Sequence, residues 1–139
     1  MKKVVIDTNV LLISISARSS HHWIFRHLLK GSFTLCVTTD VLAEYAEIIE
    51  QQMGHLASES VMGVLENLSN VELTTSYYRF DLLQDKDDNK FVDCAIAANA
   101  DFIVTHDRDF NVLARIPFPK VKVIDTQAFL EILAKDKII

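Results

Sequence analysis

The stretch VVIDTN (residues 4–9) is a short apolar run that ends in three polar residues. The run is β-branched and lacks polar alternation, which is typical of a strand buried on both faces of a parallel sheet. A second such run, FIVT (residues 102–105), is closely followed by Asp107. A carboxylate beside a packed core is costly unless it is paired or binds a cation. Because open α/β sheets bind ligands at the carboxyl ends of their strands, we predict that Asp7 and Asp107 share one site.

Both aspartates also have a plainer interpretation. Asp7 suits the N-cap of a following helix, and Asp107 suits a polar turn. Three consecutive polar residues exceed what a single cap requires, however, and two strands that carry Asp just past their ends favour a shared role.

Strand-like and helix-like segments alternate along the rest of the chain. Further strands are predicted at residues 33–38, 71–75 and 121–124, and helices at 9–16, 22–30, 39–53, 58–68, 89–100 and 126–135. No hairpin signal such as Asn-Gly is present, so the order indicates βαβ units. Right-handed crossovers would cover both faces of a mainly parallel sheet with helices. Gly and Pro are scarce, and we expect a single domain over residues 1–139.

The charge balance limits the classes of partner. The net charge is −5 and the isoelectric point is near 5.4, which argues against a broad basic surface and against strong non-specific binding to nucleic acid. Clustered carboxylates account for part of this charge, and a bound divalent cation would invert the local field. The segment 18–30 is nevertheless a local cationic group.

The cysteines and the lack of long apolar stretches bear on location. Cys36 and Cys94 both lie in apolar surroundings, and we expect two buried, reduced thiols there. We find neither a signal peptide nor a stretch long enough to span a membrane. The expected location is therefore the cytoplasm, with no membrane contact.

Three further carboxylates are candidates for the site. Glu44 lies at the border of the apolar stripe of its helix, so an ordinary surface glutamate fits as well as a ligand. Asp93 is the one acidic or basic residue in the apolar segment 91–98 and needs a partner if that segment is buried. Asp88 could bind a cation or simply cap the same helix.

The available donor atoms indicate the type of metal. No His-x-x-x-His or Glu-x-x-His spacing occurs on a predicted helix, so His21, His22 and His27 are expected at the surface. A set of carboxylate oxygens without His or Cys favours Mg²⁺ or Mn²⁺ over zinc.

Four segments together resemble the PIN-domain family, which is found in many toxins of bacterial toxin–antitoxin pairs. They are VIDTNV (5–10), LAEY (42–45), DDNKFVDCAIAA (87–98) and IVTHD (103–107), and their order and spacing cover nearly the whole chain. The resemblance implies an α/β fold in the form of a three-layer α/β/α sandwich with a mainly parallel sheet. It also implies a Mg²⁺- or Mn²⁺-dependent ribonuclease site.

The acidic positions of the family match five residues here, which are Asp7, Glu44, Asp88, Asp93 and Asp107. Asp88 and Asp93 are alternatives for one position, because toxin-like members use the acid before Ala-Ile-Ala-Ala and a second branch uses the acid in Asp-Asp-x-Lys-Phe. Asn9 and Thr105 match polar positions that line the site. His106 stands where Gly or Arg is more usual.

The resemblance also implies partners. RNA is the expected substrate, an antitoxin protein the expected partner, and homodimerisation is frequent in the family. In our interpretation, RNA would approach through the metal ions and through Arg18, Arg26, Lys30, Lys90 or Arg108. Since the net charge is negative, we expect modest RNA affinity or a short recognised segment.

Other classes of protein also use acids at strand ends. A phosphatase of the haloacid-dehalogenase type needs a second acid two residues after Asp7, and this chain has Asn9 there. A receiver-like phosphoacceptor or a catalytically silent PIN-like interaction domain could also carry such acids. Metal-dependent cleavage by a clean preparation would separate the nuclease from these classes.

Overall fold

A five-stranded, wholly parallel sheet forms the centre of the computed structural model, which describes residues 1–136. The last three residues of the predicted domain lie outside the described range. In spatial order the strands are β3 (Val71–Leu73), β2 (Thr34–Val37), β1 (Lys3–Ile6), β4 (Phe102–Val104) and β5 (Val123–Ile124). Helices flank the sheet, and the predicted three-layer α/β/α architecture is confirmed.

The helices follow the predicted order with shifted ends. They are α1 (Thr8–Ile15), α2 (His22–Lys30), α3 (Thr39–Met53), α4 (His55–Asn67), α5 (Asn89–Ala98) and α6 (Thr126–Asp136). A 3₁₀ helix follows β4 at Arg108–Arg115, where a helical turn was expected to start at Asp109. It is anchored by Phe110 and Leu113, which are buried at a spacing of three residues, and that spacing suits a helix with three residues per turn.

Local chemistry explains where the helices begin and end. Gly31 terminates α2 with φ at +78°, a left-handed conformation that glycine adopts without a steric penalty. Thr38 accepts a hydrogen bond from the Val41 amide at 3.2 Å and caps the beginning of α3. The last residue of α5 is Ala98, two residues earlier than predicted, and Asn99 caps this end with a left-handed backbone conformation.

Aromatic side chains connect the layers of the core. Phe129 of α6 lies with its ring centre 5.1 Å from Phe33 and 5.8 Å from Phe102, at the amino ends of β2 and β4. Phe91 of α5 lies 6.5 Å from Tyr45 of α3. The first two contacts pack α6 against the sheet, and the third packs α5 against α3.

The two cysteines are free and buried, as predicted. Burial raises the pKa of both Cys36 and Cys94 to about 12, so the thiols remain protonated and unreactive at neutral pH. No helix within residues 1–136 combines the length and the apolar character needed to cross a bilayer.

The strand order reverses between β1 and β4. From β1 the chain continues through β2 to β3 on one side, and then crosses to β4 and β5 on the other side. The two central strands are joined at their carboxyl ends, where the Asp7 amide donates to the Val104 carbonyl at 3.1 Å. In doubly wound sheets such a reversal opens a crevice that binds ligands.

Candidate functional site

Asp7 stands at the carboxyl end of β1 and is 7% exposed. Its Oδ1 atom accepts a hydrogen bond from the Asn9 amide at 2.7 Å and caps α1, and its Oδ2 atom accepts one from the Thr105 hydroxyl. Burial raises the pKa of Asp7, the two hydrogen bonds oppose that rise, and the charge of Asp107 adds to it. Asp7 is therefore both the predicted N-cap and a buried carboxylate in the field of a second acid.

Thr105 links the two aspartates that follow the central strands. Its hydroxyl donates to Asp7 and accepts a hydrogen bond from the Asp107 amide at 3.0 Å. Asp107 is exposed, and its Oδ1 atom accepts from the Asp109 amide at 2.9 Å, which caps the 3₁₀ helix. Asp107 therefore caps the turn, as its plainer interpretation predicts, and is joined to Asp7 through Thr105.

Glu44 reaches the same crevice from α3. Its Oε1 atom lies 2.8 Å from Nζ of Lys90, and its Oε2 atom accepts from the Thr8 hydroxyl. These contacts tie α3 to α1 and α5, which an ordinary surface glutamate would not do. The sequence did not predict the roles of Thr8 and Lys90 in holding Glu44, although both lie inside the motifs that carry the family resemblance.

Asp88 directly precedes α5 but makes no capping hydrogen bond with its side chain. Burial raises its pKa to about 6, and the charges of four carboxylates add to the rise, those of Asp85, Asp107, Asp7 and Glu44. Three of these four are predicted site acids. Asp88 therefore shares its electrostatic environment with the strand-end aspartates and with Glu44.

Asp93 lies in different surroundings. It is 9% exposed, and its Oδ1 atom accepts a hydrogen bond from the Phe80 amide at 3.1 Å. Burial raises its pKa, and the charges that act on it are those of Asp81 and Arg79, which belong to the loop between β3 and α5. Of the two alternatives, Asp88 is the one whose pKa is raised by burial and by the charges of the other candidate acids, whereas Asp93 is hydrogen-bonded to this loop.

A family model described as the PIN domain matches residues 3–109, a span that contains every candidate acid. The chain belongs to the PIN-domain family. No protein of curated function has a matching sequence.

Solved structures share the fold of this PIN domain. VapBC2 from Rickettsia felis, bound to a DNA fragment from its promoter, has a TM-score of 0.62 at 19% identity, over 88% of this chain and 98% of that one. VapC20 of Mycobacterium tuberculosis, described as a Sarcin-Ricin loop cleaving toxin, gives 0.59 at 14% identity over 85% and 98%. DNA-bound VapBC from Salmonella typhimurium gives 0.56 at 18% identity over 90% and 98%.

The other residues considered for the site of this PIN domain differ in their contacts and in their exposure. Asn9 contributes its backbone amide, and its side chain is exposed. His106 lies at the rim, with its Nε2 atom 2.8 Å from the Thr126 hydroxyl. Arg108 directly follows Asp107 and is exposed.

Lys30 lies at the wrong edge of the sheet for the predicted contact with RNA. It ends α2, next to Leu28, whose carbonyl accepts from the Asn70 side chain just before β3 begins. The same Asn70 side chain also donates to the Phe33 carbonyl at the start of β2. These bonds place Lys30 at the amino edge of the sheet, opposite the acids.

The donor set of the PIN domain fits a hard divalent cation, since it consists of carboxylate oxygens. Within residues 1–136 no three Asp, Glu, His or Cys side chains stand close enough to form a ready-made metal site. Mg²⁺ usually retains several waters and needs only one or two protein carboxylates, so a preassembled cage is not required. Burial and the charges of neighbouring carboxylates raise the pKa of Asp88, and a bound cation would favour its ionised form.

Proposed function

We propose that this PIN domain is a divalent-metal-dependent endoribonuclease that hydrolyses RNA phosphodiester bonds and acts as the toxin of a toxin–antitoxin pair. The observation that carries the proposal is the hydrogen-bonded link from Asp7 through Thr105 to Asp107 at the reversal of strand order, where burial and the charges of these two aspartates and of Glu44 also raise the pKa of Asp88. The shared fold with a toxin that cleaves the Sarcin-Ricin loop supports RNA as the substrate. The VapBC assemblies support a protein partner for the toxin.

Asp7, Asp88 and Asp107 are the residues that would hold Mg²⁺ or Mn²⁺. A divalent ion, when bound, would lower the pKa of a water ligand and neutralise charge on the attacked phosphate. Glu44 would complete the ligand set or orient the attacking water, and no side chain needs to act as a nucleophile.

The hydrogen bonds around these acids give them fixed positions. The Thr105 hydroxyl and the Asn9 amide hold both oxygens of Asp7, so this carboxylate needs no reorganisation during the reaction. Thr8 and Lys90 hold Glu44 in the same way. Lys90 and Arg108 would contact phosphates of the RNA on either side of the acids.

The test is RNA cleavage with Mg²⁺ or Mn²⁺ by the wild type and by Asp7→Asn, Asp88→Asn and Asp93→Asn. We expect metal-dependent cleavage by the wild type, a loss of about a hundredfold or more for the first two variants, and retained metal-dependent cleavage by Asp93→Asn. Equal activity in all four proteins would refute the proposal. Partner binding without metal-dependent cleavage would favour the catalytically silent interaction domain.

The proposed partners have separate tests. An antitoxin segment that covers the acidic crevice should inhibit cleavage when the two proteins are purified together. A homodimer should appear as twice the chain mass in light scattering of the purified protein.

A further inference from the structure

A polar cavity of about 170 Å³ lies beyond the carboxyl ends of β2 and β3. Threonine and serine residues that follow the two strands line the cavity together with Lys90 and Asp93 of α5. Residues three apart lie on one face of a helix, so α5 presents both charged side chains to the cavity. The cavity is much larger than a single water requires.

Asp93 is the unusual group in this cavity. Its side chain is nine-tenths buried, the Phe80 amide is its hydrogen-bond donor among the described residues, and it takes part in none of their ion pairs. Buried carboxylates are normally paired or fully hydrogen-bonded. Asp93 therefore retains acceptor capacity at the wall of the cavity.

The charges around the cavity favour a neutral polar group over an anion. Arg79 and Lys90 contribute positive charge, and Asp40 and Asp93 contribute negative charge. A phosphate would face two carboxylates at close range, which is unfavourable. A group with both N–H donors and carbonyl acceptors would match the carboxylate and the surrounding hydroxyls.

The cavity adjoins the candidate catalytic acids through Lys90, which lines the cavity while its Nζ atom lies 2.8 Å from Glu44. The loop that forms the cavity continues to Tyr77 and Tyr78, which are 84% and 73% exposed. Exposed aromatic rings can stack on further bases of a single strand.

We propose that this cavity binds the base of a nucleotide next to the cleaved bond, and that Asp93 accepts hydrogen bonds from its N–H groups. Guanine is the best match, because its Watson–Crick edge carries two neighbouring N–H donors and the cavity hydroxyls can donate to its carbonyl oxygen. This inference rests on the proposed cleavage of RNA.

The test compares Asp93→Asn with Asp81→Asn on short RNAs that carry guanine, inosine, adenine or uracil at positions around the cleaved bond. Asn at position 93 can keep the bond to the Phe80 amide but replaces one acceptor with a donor. Asp81 is an exposed neighbour outside the cavity, and it adopts a positive φ of 51° that Asn tolerates. Asp81→Asn therefore controls for the loss of one negative charge from this loop.

We expect the wild type to cleave one guanine-containing RNA about tenfold or more faster than the inosine RNA, which lacks the exocyclic amine. Asp93→Asn should reduce this ratio to near one by slowing cleavage of the guanine RNA, and Asp81→Asn should leave the ratio unchanged. An equal loss of rate by Asp93→Asn on all RNAs would overturn the proposal, as would a wild type without base preference.

Binding of the same RNAs in the presence of EDTA, followed by fluorescence anisotropy, separates this inference from the proposed activity. A guanine preference that depends on Asp93 in a protein that never cleaves RNA would support the cavity and refute the nuclease. Cleavage without an Asp93-dependent preference would support the nuclease and refute the cavity.

Discussion

Lys90 and Glu44, which are 46 residues apart, form an ion pair inside the acidic crevice with Nζ 2.8 Å from Oε1. The two side chains are 23% and 20% exposed. Burial acts to lower the pKa of Lys90, but the hydrogen bond and the charge of Glu44 outweigh it and the pKa is raised. The ammonium group therefore neutralises a carboxylate that a divalent cation would otherwise meet, and we expect Lys90 and the metal to compete for Glu44.

Lys90→Met should destabilise the metal-free protein by about 1–2 kcal/mol, between the values typical of exposed and buried pairs. The same change should enlarge the increase in melting temperature caused by Mn²⁺, because Glu44 is then free to bind the ion. Thermal unfolding with EDTA and with Mn²⁺ measures both effects. Lys86→Met, at an exposed lysine of the preceding loop, is the matched control. An unchanged response to Mn²⁺ in Lys90→Met would contradict the competition.

Asp88→Asn and Asp93→Asn should differ in their response to metal. Asp88 lies in the field of the other acids, whereas Asp93 is bound to the Phe80 amide. Stabilisation by Mn²⁺ should therefore disappear in Asp88→Asn and persist in Asp93→Asn, since a ligand stabilises only the protein that binds it. Isothermal titration calorimetry measures the affinity directly. The reverse pattern would assign to Asp93, instead of Asp88, the acidic position of the family for which the two are alternatives.

The fold was predictable because its main signals are local. Apolar β-branched runs mark β1 and β4, and Gly31 marks the end of α2. Boundaries were less predictable, because the length of a strand depends on its partner. The third strand was predicted at 71–75 but ends at Leu73, where the parallel register with Val37 of β2 ends.

The site was predictable only in part, for a similar reason. Asp7 and Asp107 follow strands directly, so their common location follows from the order of elements. The surroundings of Glu44 and Asp93 depend on contacts with Lys90 and Phe80, which lie in or beside an irregular loop. Such a loop has no periodicity that would reveal its path in the sequence.

Thr105→Val should weaken the link between the two strand-end aspartates. The change keeps the shape of the side chain but removes the hydroxyl that donates to Asp7 and accepts from the Asp107 amide. We expect a loss of about 1–2 kcal/mol in the free energy of unfolding and a higher pKa of Asp7, because this hydrogen bond lowers it. Urea denaturation measures the first effect. Thr34→Val, at the amino end of β2 and so at the sheet edge opposite Thr105, should cost less. Equal costs would argue against a special role for Thr105.

Asn89→Ala should release the loop that precedes α5. The buried Asn89 side chain accepts from the Leu83 amide at 2.9 Å and donates to the Leu83 carbonyl at 3.1 Å. Loss of both bonds leaves two backbone groups without partners, which should cost about 2–3 kcal/mol in unfolding free energy. Limited proteolysis should then cut the loop faster than in the wild type. Asn111→Ala, at an exposed asparagine, should change neither property. A loop that stays resistant to proteolysis in Asn89→Ala would show that the Asn89 side chain does not hold it.

Asp88 should make the stability of the metal-free protein depend on pH. Burial and the neighbouring carboxylates raise its pKa from 3.8 to about 6, so the folded state binds this proton more tightly than the unfolded state does. Between about pH 4 and 6 the folded state therefore holds more protons, and stability falls as the pH rises through this window. In EDTA, the free energy of unfolding of the wild type should fall relative to that of Asp88→Asn between pH 4 and 7. Urea denaturation at several pH values measures this difference.

A bound cation stabilises the ionised form of Asp88, so the fall should diminish when Mn²⁺ is present. Asp87→Asn removes an exposed charge from the adjacent position, and the wild type should not lose stability relative to this variant across the same window. A difference between wild type and Asp88→Asn that stays constant from pH 4 to 7 would mean that the acids do not share one field. The structural basis for placing Asp88 with Asp7, Glu44 and Asp107 would then be lost, whatever the outcome of the cleavage assay.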